Sequence, residues 1–177
     1  MKKKILIFSF FIFFFILFTF FYLLIINRNP SDLPSVLINK KVPTFEAKSL
    51  LKNKTFISSN EFGNETIIVN FFATWCKPCL DEHIYIKRLS SKKGLKVIGI
   101  NYKDNNDKAI EWLQKLGNPY SDVLIDSNAY IGIDWGVYGI PETFIVNSNS
   151  LIKYRLVGPI TKKNYDAFVL KIKESEN

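Results

Sequence analysis

The chain holds two cysteines, Cys76 and Cys79, and a single histidine, His83. Both cysteines lie in "FFATWCKPCL", directly behind a run of strand-type residues. Four chemistries compete for such a pair: a structural staple, a metal site, a redox couple, or two unrelated buried thiols. A disulfide between residues this close closes almost no loop, so it constrains the unfolded chain little. A structural zinc takes four ligands; two Cys and one His fall short unless carboxylates contribute, so no metal is expected, and no other cofactor. Unrelated free thiols suit a reducing compartment better than an oxidising one.

The redox couple has a mechanism. A helix starting at Cys76 would present free N–H groups and its positive dipole end to the sulfur, favouring negative charge. A thiol pKa of about 8.5 falls to roughly 3.5–7.5 in such settings. Cys76 is then the attacking sulfur, and Cys79, one turn on and more buried, resolves the mixed disulfide. Pro78 fits an early helical position, where its missing N–H would have no partner anyway. Trp75 either covers the sulfur and shapes a docking surface or is a core aromatic. Lys77 either lowers the Cys76 pKa or points into water.

These residues need a scaffold. "ETIIVNFFA" (Glu65–Ala73) is a near-continuous apolar run, as expected for a strand buried on both faces. Cys76–Leu89 has helical spacing. "LKVIGIN" is a second buried strand, "NNDKAIEWLQKLG" a helix stopped by Gly117, and "DVLID" a short strand. "NAYIGIDWGV" fits a short helix ended by Gly136. "ETFIVN" and "LIKYRLV" flank "SNS" as an antiparallel hairpin, and "VPTFEAKS" and "TFISSNEF" form a weaker N-terminal one. "TKKNYDAFVLKIKES" closes the chain as an amphipathic helix. Alternating strands and helices followed by a hairpin indicate an α/β sandwich with a mixed sheet.

Ahead of this domain, Ile5–Ile26 is a run without charge, Gly or Pro. About 20 apolar residues span a bilayer core as a helix. A cleavable signal peptide has a shorter apolar region and small residues at its cut, and neither is present here. Lys2, Lys3 and Lys4 precede the span and only Arg28 follows closely, which keeps the N-terminus cytoplasmic. The expected organisation is a cytoplasmic tail (1–4), a transmembrane anchor (5–26), a linker (27–41) and a periplasmic domain (42–177). The cysteines then stand in an oxidising compartment. Of the net charge of +8, the three flanking lysines account for +3, leaving +5 on the rest. Those basic residues are scattered, which argues for surface solubility and against nucleic acid.

The residues also carry a resemblance. "VNFFATWCKPC" resembles the active-site strand and turn of the thioredoxin superfamily, and "VYGIPETFIV" resembles its cis-proline loop, here at Pro141. "CLDEH", "NYKD", "IDWGVYGIPETF" and "YRLVGPIT" are together similar to the membrane-anchored DsbE/CcmG thiol:disulfide interchange proteins of cytochrome c maturation. The resemblance implies a thioredoxin-like α/β fold with an N-terminal β-hairpin extension and a central α-β insert, preceded by one transmembrane helix. It implies a single-pass inner-membrane protein that reduces the Cys-x-x-Cys-His disulfide of apocytochrome c, directly or through another maturation thiol protein. A DsbD/CcdA-type membrane carrier would re-reduce it. Cys76 and Cys79 would be the redox-active disulfide. Trp75, Tyr138, Ile140 and Pro141 would bind the substrate peptide, with the Ile140–Pro141 bond cis.

One departure matters. Thioredoxins bury an Asp in the strand before the motif, and Asn70 stands there in this chain. Glu142 and Glu82 are the candidates to replace that proton acceptor, raising thiol pKa values and assisting deprotonation of Cys79. Glu82 has a second reading as a solvated helix residue. His83 receives no chemistry, and Trp135 is expected to pack beneath the Pro141 loop. Three functional classes stay open: a reductase for cytochrome c maturation, a general periplasmic thiol oxidase or isomerase, and a non-catalytic protein gripping apocytochrome or copper.

Overall fold

A computed structural model of the chain describes residues 2–26, 36–52, 54–57 and 62–176. Residues 27–35 of the expected linker and residues 58–61 of the expected second hairpin strand lie outside them.

The chain divides into an N-terminal helix and a compact domain. Helix α1 (Lys2–Ile26) has 25 residues, a length of about 37 Å at about 1.5 Å per residue. Its central stretch, Ile7–Leu24, has a mean hydropathy of 2.6 and buries nothing against other residues. The Thr19 hydroxyl donates to the Phe15 carbonyl at 2.8 Å, so this polar group is satisfied within the helix, as a bilayer requires. Length and apolarity on all sides fit a single-pass membrane anchor.

In the domain, strands β1 (Glu46–Lys48) and β2 (Thr55–Ile57) pair antiparallel. Strand β3 (Ile67–Phe72) leads to helix α2 (Lys77–Ser90), β4 (Lys96–Tyr102), helix α3 (Asn106–Leu116), β5 (Asp122–Asp126) and short helix α4 (Tyr130–Asp134). The chain then runs through β6 (Glu142–Val146), β7 (Ile152–Val157) and helix α5 (Tyr165–Ser175). The sheet order is β5-β4-β3-β6-β7. β3 is central, parallel to β4 and antiparallel to β6.

Alternation along β3 sorts two cores. Ile67, Val69 and Phe71 face a cluster built with Phe45, Phe56, Trp135 and Phe144. Ile68 and Phe72 face another, built with Ile86 and Leu89 of α2, Leu113 of α3, and Phe168 and Ile172 of α5. Cys76 and Cys79 belong to this helical side. β3 is buried along its whole length, so its period-2 alternation is invisible in hydropathy and emerges only from packing. Trp135 is fully buried, its ring centroid 5.0 Å from that of Phe144 and 5.8 Å from that of Phe71. It anchors the segment ahead of Pro141 from within the core; truncating such a residue costs about 3–5 kcal/mol.

The domain begins earlier than position 42. Asn39 N–H donates to Ile152 O at 2.7 Å, and Ile152 N–H to Lys40 O at 2.9 Å. Lys41 bridges Leu151, and Leu37 and Ile38 pack on the first core. A few apolar residues carry no period, so this short added edge is not visible in the sequence.

Candidate active site

Helix α2 starts where the chemistry needs it. Cys76 is its N-cap with extended backbone (φ −89°, ψ 105°), and its Sγ accepts the Cys79 N–H at 3.2 Å. Pro78 sits in the first turn, where no intrahelical N–H is missed. The two sulfurs form a disulfide, with Cα atoms 5.3 Å apart. Both cysteines are buried, Cys76 at 5 % and Cys79 at 2 % exposure. Trp75 is 60 % exposed, so it is no core aromatic; its indole N–H donates to Lys103 O at 3.1 Å. Lys77 is exposed and ion-paired to Asp81 one turn on.

The turn into the helix is braced by a residue not singled out in the sequence. The Asp104 carboxylate accepts the Thr74 N–H at 2.7 Å, the Thr74 hydroxyl at 2.8 Å and the Asn101 amide at 2.9 Å. This ties the segment before Cys76 to the end of β4.

Beneath the pair lies a buried polar network. Glu82 stands three residues after Cys79, on the same helix face, and is 1 % exposed, which excludes the solvated reading. Its Oε1 accepts the Asn70 amide at 2.9 Å and its Oε2 the Ile160 N–H at 2.9 Å. Asn70 also donates to Thr143 Oγ1 at 3.0 Å and accepts the Tyr120 hydroxyl at 2.8 Å. Burial pushes the Glu82 carboxyl up from 4.5 to about 7, against the lowering effect of the bonds from Ile160 and Asn70. Burial, and then the Glu82 charge, push the Tyr120 phenol up. Thr143 and Tyr120 carry no motif of their own. Gly99 is the one signal pointing toward Tyr120: a Cβ there would stand 2.9 Å from the Phe72 ring and 3.0 Å from the Tyr120 ring.

Glu142 occupies a different setting. It is fully buried and ion-paired to Arg155, Nε to Oε2, at 2.7 Å. Its Oε1 accepts the N–H groups of Tyr138 and Gly139 at 3.2 and 3.3 Å. Arg155 also donates to Gly136 O at 2.9 Å, and its guanidinium lies 4.9 Å from the Tyr138 ring centroid. Arg155, absent from the sequence-derived candidates, thus holds the loop from both ends. The Ile140–Pro141 bond is cis. Phe71 pairs with Glu142, which sets Pro141 beside the end of β3 that leads to Cys76. Ile140 packs against both cores, including the one that contains the cysteines. Tyr138 is exposed, Ile140 half-buried and Pro141 buried.

His83 Nε2 donates to Gly117 O at 2.9 Å, and burial first, then the Lys87 charge, hold its pKa below the usual value against the raising effect of the Gly117 carbonyl. Among the described residues, no three Cys, His, Asp or Glu side chains converge as a metal site would need. The arrangement can do one kind of chemistry: a helix-capped dithiol that opens and closes, above a buried carboxyl that titrates near neutrality.

The chain is similar to known proteins. The Redoxin family model matches residues 37–169. The thiol:disulfide interchange protein DsbE of Vibrio cholerae is 44 % identical over 137 residues, covering 77 % of this chain and 74 % of that one. DsbE of Escherichia coli is 41 % identical over 139 residues, covering 78 % and 75 %. A crystal structure assigned to a DsbE protein of Chlorobium tepidum superposes with a TM-score of 0.69 at 22 % identity, covering 78 % of this chain and 96 % of that one; at that identity it speaks for the fold. The chain therefore belongs to the Redoxin family and, within it, to the DsbE thiol:disulfide interchange proteins, and is a thiol-disulfide oxidoreductase.

Proposed function

We propose that this chain is an inner-membrane-anchored periplasmic reductase that opens the disulfide of apocytochrome c haem-binding sites, directly or through a maturation thiol protein. A DsbD/CcdA-type membrane carrier returns it to the dithiol. The observation that supports this most is the Cys76–Cys79 disulfide at the start of α2 with Glu82 buried one turn below it.

The reaction runs from the dithiol form. The Cys76 thiolate attacks one sulfur of the substrate disulfide; that bond breaks, a mixed disulfide forms, and the first substrate thiolate leaves. Glu82 takes the proton of Cys79, whose sulfur then attacks Cys76 Sγ. The mixed disulfide breaks, the Cys76–Cys79 bond of the present structure forms, and the second substrate thiolate leaves and takes up a proton. Two electrons pass to the substrate. One proton reaches it from Cys79 by way of Glu82; the other, equal to the one Cys76 released on forming its thiolate, comes from water and protonates the first leaving thiolate. A carboxyl near pKa 7 accepts and returns a proton readily at neutral pH. Glu142 acts differently: with Arg155 it fixes the Tyr138–Pro141 loop, whose backbone pairs with an extended substrate in the manner of strand addition. Trp75 and Tyr138 flank that path.

Deletion tests the reading in cells. Loss of the chain is expected to lower c-type cytochromes while other periplasmic disulfides stay intact. Unchanged cytochrome levels, or a general loss of periplasmic disulfides, would favour the oxidase or isomerase instead.

A further inference from the structure

The outer face of α2 carries a groove that the disulfide chemistry does not use. It encloses ≈ 420 Å³ beside the last turn of α3, lined by Leu80, Ile84, Leu116, Lys87, Arg88 and His83 among others. Its apolar residues are open: Leu80 is 41 % and Ile84 54 % exposed. Among the described residues no carboxylate lines it. The cations are not neutralised: among the described residues Lys87 meets the Leu116 carbonyl at 2.9 Å and Arg88 lies over the Tyr85 ring. His83, 5 % exposed, spends its Nε2 proton on Gly117 O, which leaves a lone pair on Nδ1; that atom is buried without a hydrogen-bond partner.

The groove begins next to the reactive pair. Leu80 N–H donates to Cys76 O at 3.3 Å. From Cys76 to Arg88 the helix rises about 18 Å at about 1.5 Å per residue. An extended segment covers that distance with about six residues at about 3.3 Å each.

We propose that this groove docks an acidic, apolar segment of the redox substrate, lying along α2 about six residues from the substrate cysteine. The apolar side chain of the segment covers Leu80, Ile84 and Leu116. Its carboxylates meet Lys87 and Arg88. The proposal rests on the reductase reading and supplies what that reading needs: a contact outside the disulfide that selects one substrate among many.

The test separates docking from turnover. The probes are fluorescein-labelled Ser-Ala-Ala-Ser peptides with a six-residue tail containing Leu and either Glu or Lys, placed on either end. They contain no cysteine, so binding to the full chain in detergent is read without redox chemistry. With the tail on one end, the Glu peptide is expected to bind roughly five- to tenfold more tightly than the Lys peptide, the yield of two surface ion pairs. The preference should collapse at high salt and invert in the Lys87→Glu/Arg88→Glu variant. It should persist in Lys162→Glu/Lys163→Glu, which changes net charge equally elsewhere. Amide shifts in the unsubstituted protein should follow Leu80 to Arg88. Equal binding of both tails, equal loss of preference in the two charge-reversed variants, or shifts confined elsewhere would overturn the proposal. Reduction of a tail-less Cys-Ala-Ala-Cys disulfide peptide is measured alongside; its failure would count against the reductase reading alone.

Discussion

The Asn70 side-chain amide donates to Glu82 Oε1 across 2.9 Å. In this chain the buried carboxyl under the redox pair is thus carried by the helix, and the strand position before the motif supplies a donor that orients it. The same Asn70 receives the Tyr120 hydroxyl and reaches Thr143, so strands β3 and β6, the loop before β5 and helix α2 meet in one network around the carboxyl. Low local dielectric makes such a network strong when complete and expensive when broken.

Glu82 ties stability to pH, and the sign follows from its raised pKa. Between pH 4.5 and about 7 the native state keeps a proton that the unfolded chain has released. Stability from this group is therefore full below 4.5, falls as pH rises through about 7, and is flat above. Relative to a Glu82→Gln variant, the wild-type chain is expected to lose about 3 kcal/mol across that window. Urea unfolding of both proteins at about pH 4 and about pH 8 reads the difference; parallel curves at the two pH values would remove Glu82 as a titrating group.

Arg155→Ala is expected to destabilise the domain by about 3–5 kcal/mol, because it leaves the buried Glu142 carboxylate without its cation. Adding Glu142→Gln should recover part of that loss, since the uncompensated charge is gone. Denaturant unfolding of the two single variants and the double variant checks this. A loss below about 1 kcal/mol would place the pair with ordinary surface bridges.

Cys79→Ser should accumulate a mixed disulfide with substrate through Cys76, because the resolving sulfur is missing. Cys76→Ser should accumulate none. Mass spectrometry of trapped adducts decides, and trapping through Cys79 alone would reverse the roles.

Much of this site was legible because its parts are local. Strand β3, the Cys76 cap, Pro78 and the α2 spacing lie within one short stretch, and the loop at Pro141 announces itself by resemblance. The partners of Glu82 are not local: Asn70 and Ile160 lie 12 and 78 positions away from it, and Tyr120 is 50 from Asn70. No periodicity reports contacts at that separation, so Glu82 read equally as acceptor or solvated residue until burial decided. Arg155 sits on a half-exposed strand where an arginine looks ordinary; only the fold sets it against Glu142. Asp104 likewise looks like loop chemistry until Thr74 is seen bound to it.

The midpoint potential of the Cys76–Cys79 couple tests the reductase reading most directly. It is measured on the full chain in detergent, equilibrated against thiol–disulfide buffers and quantified by thiol labelling. A reductant for a narrow substrate is expected at or below roughly −180 mV, whereas a value near about −120 mV would mark a strong oxidant and contradict it.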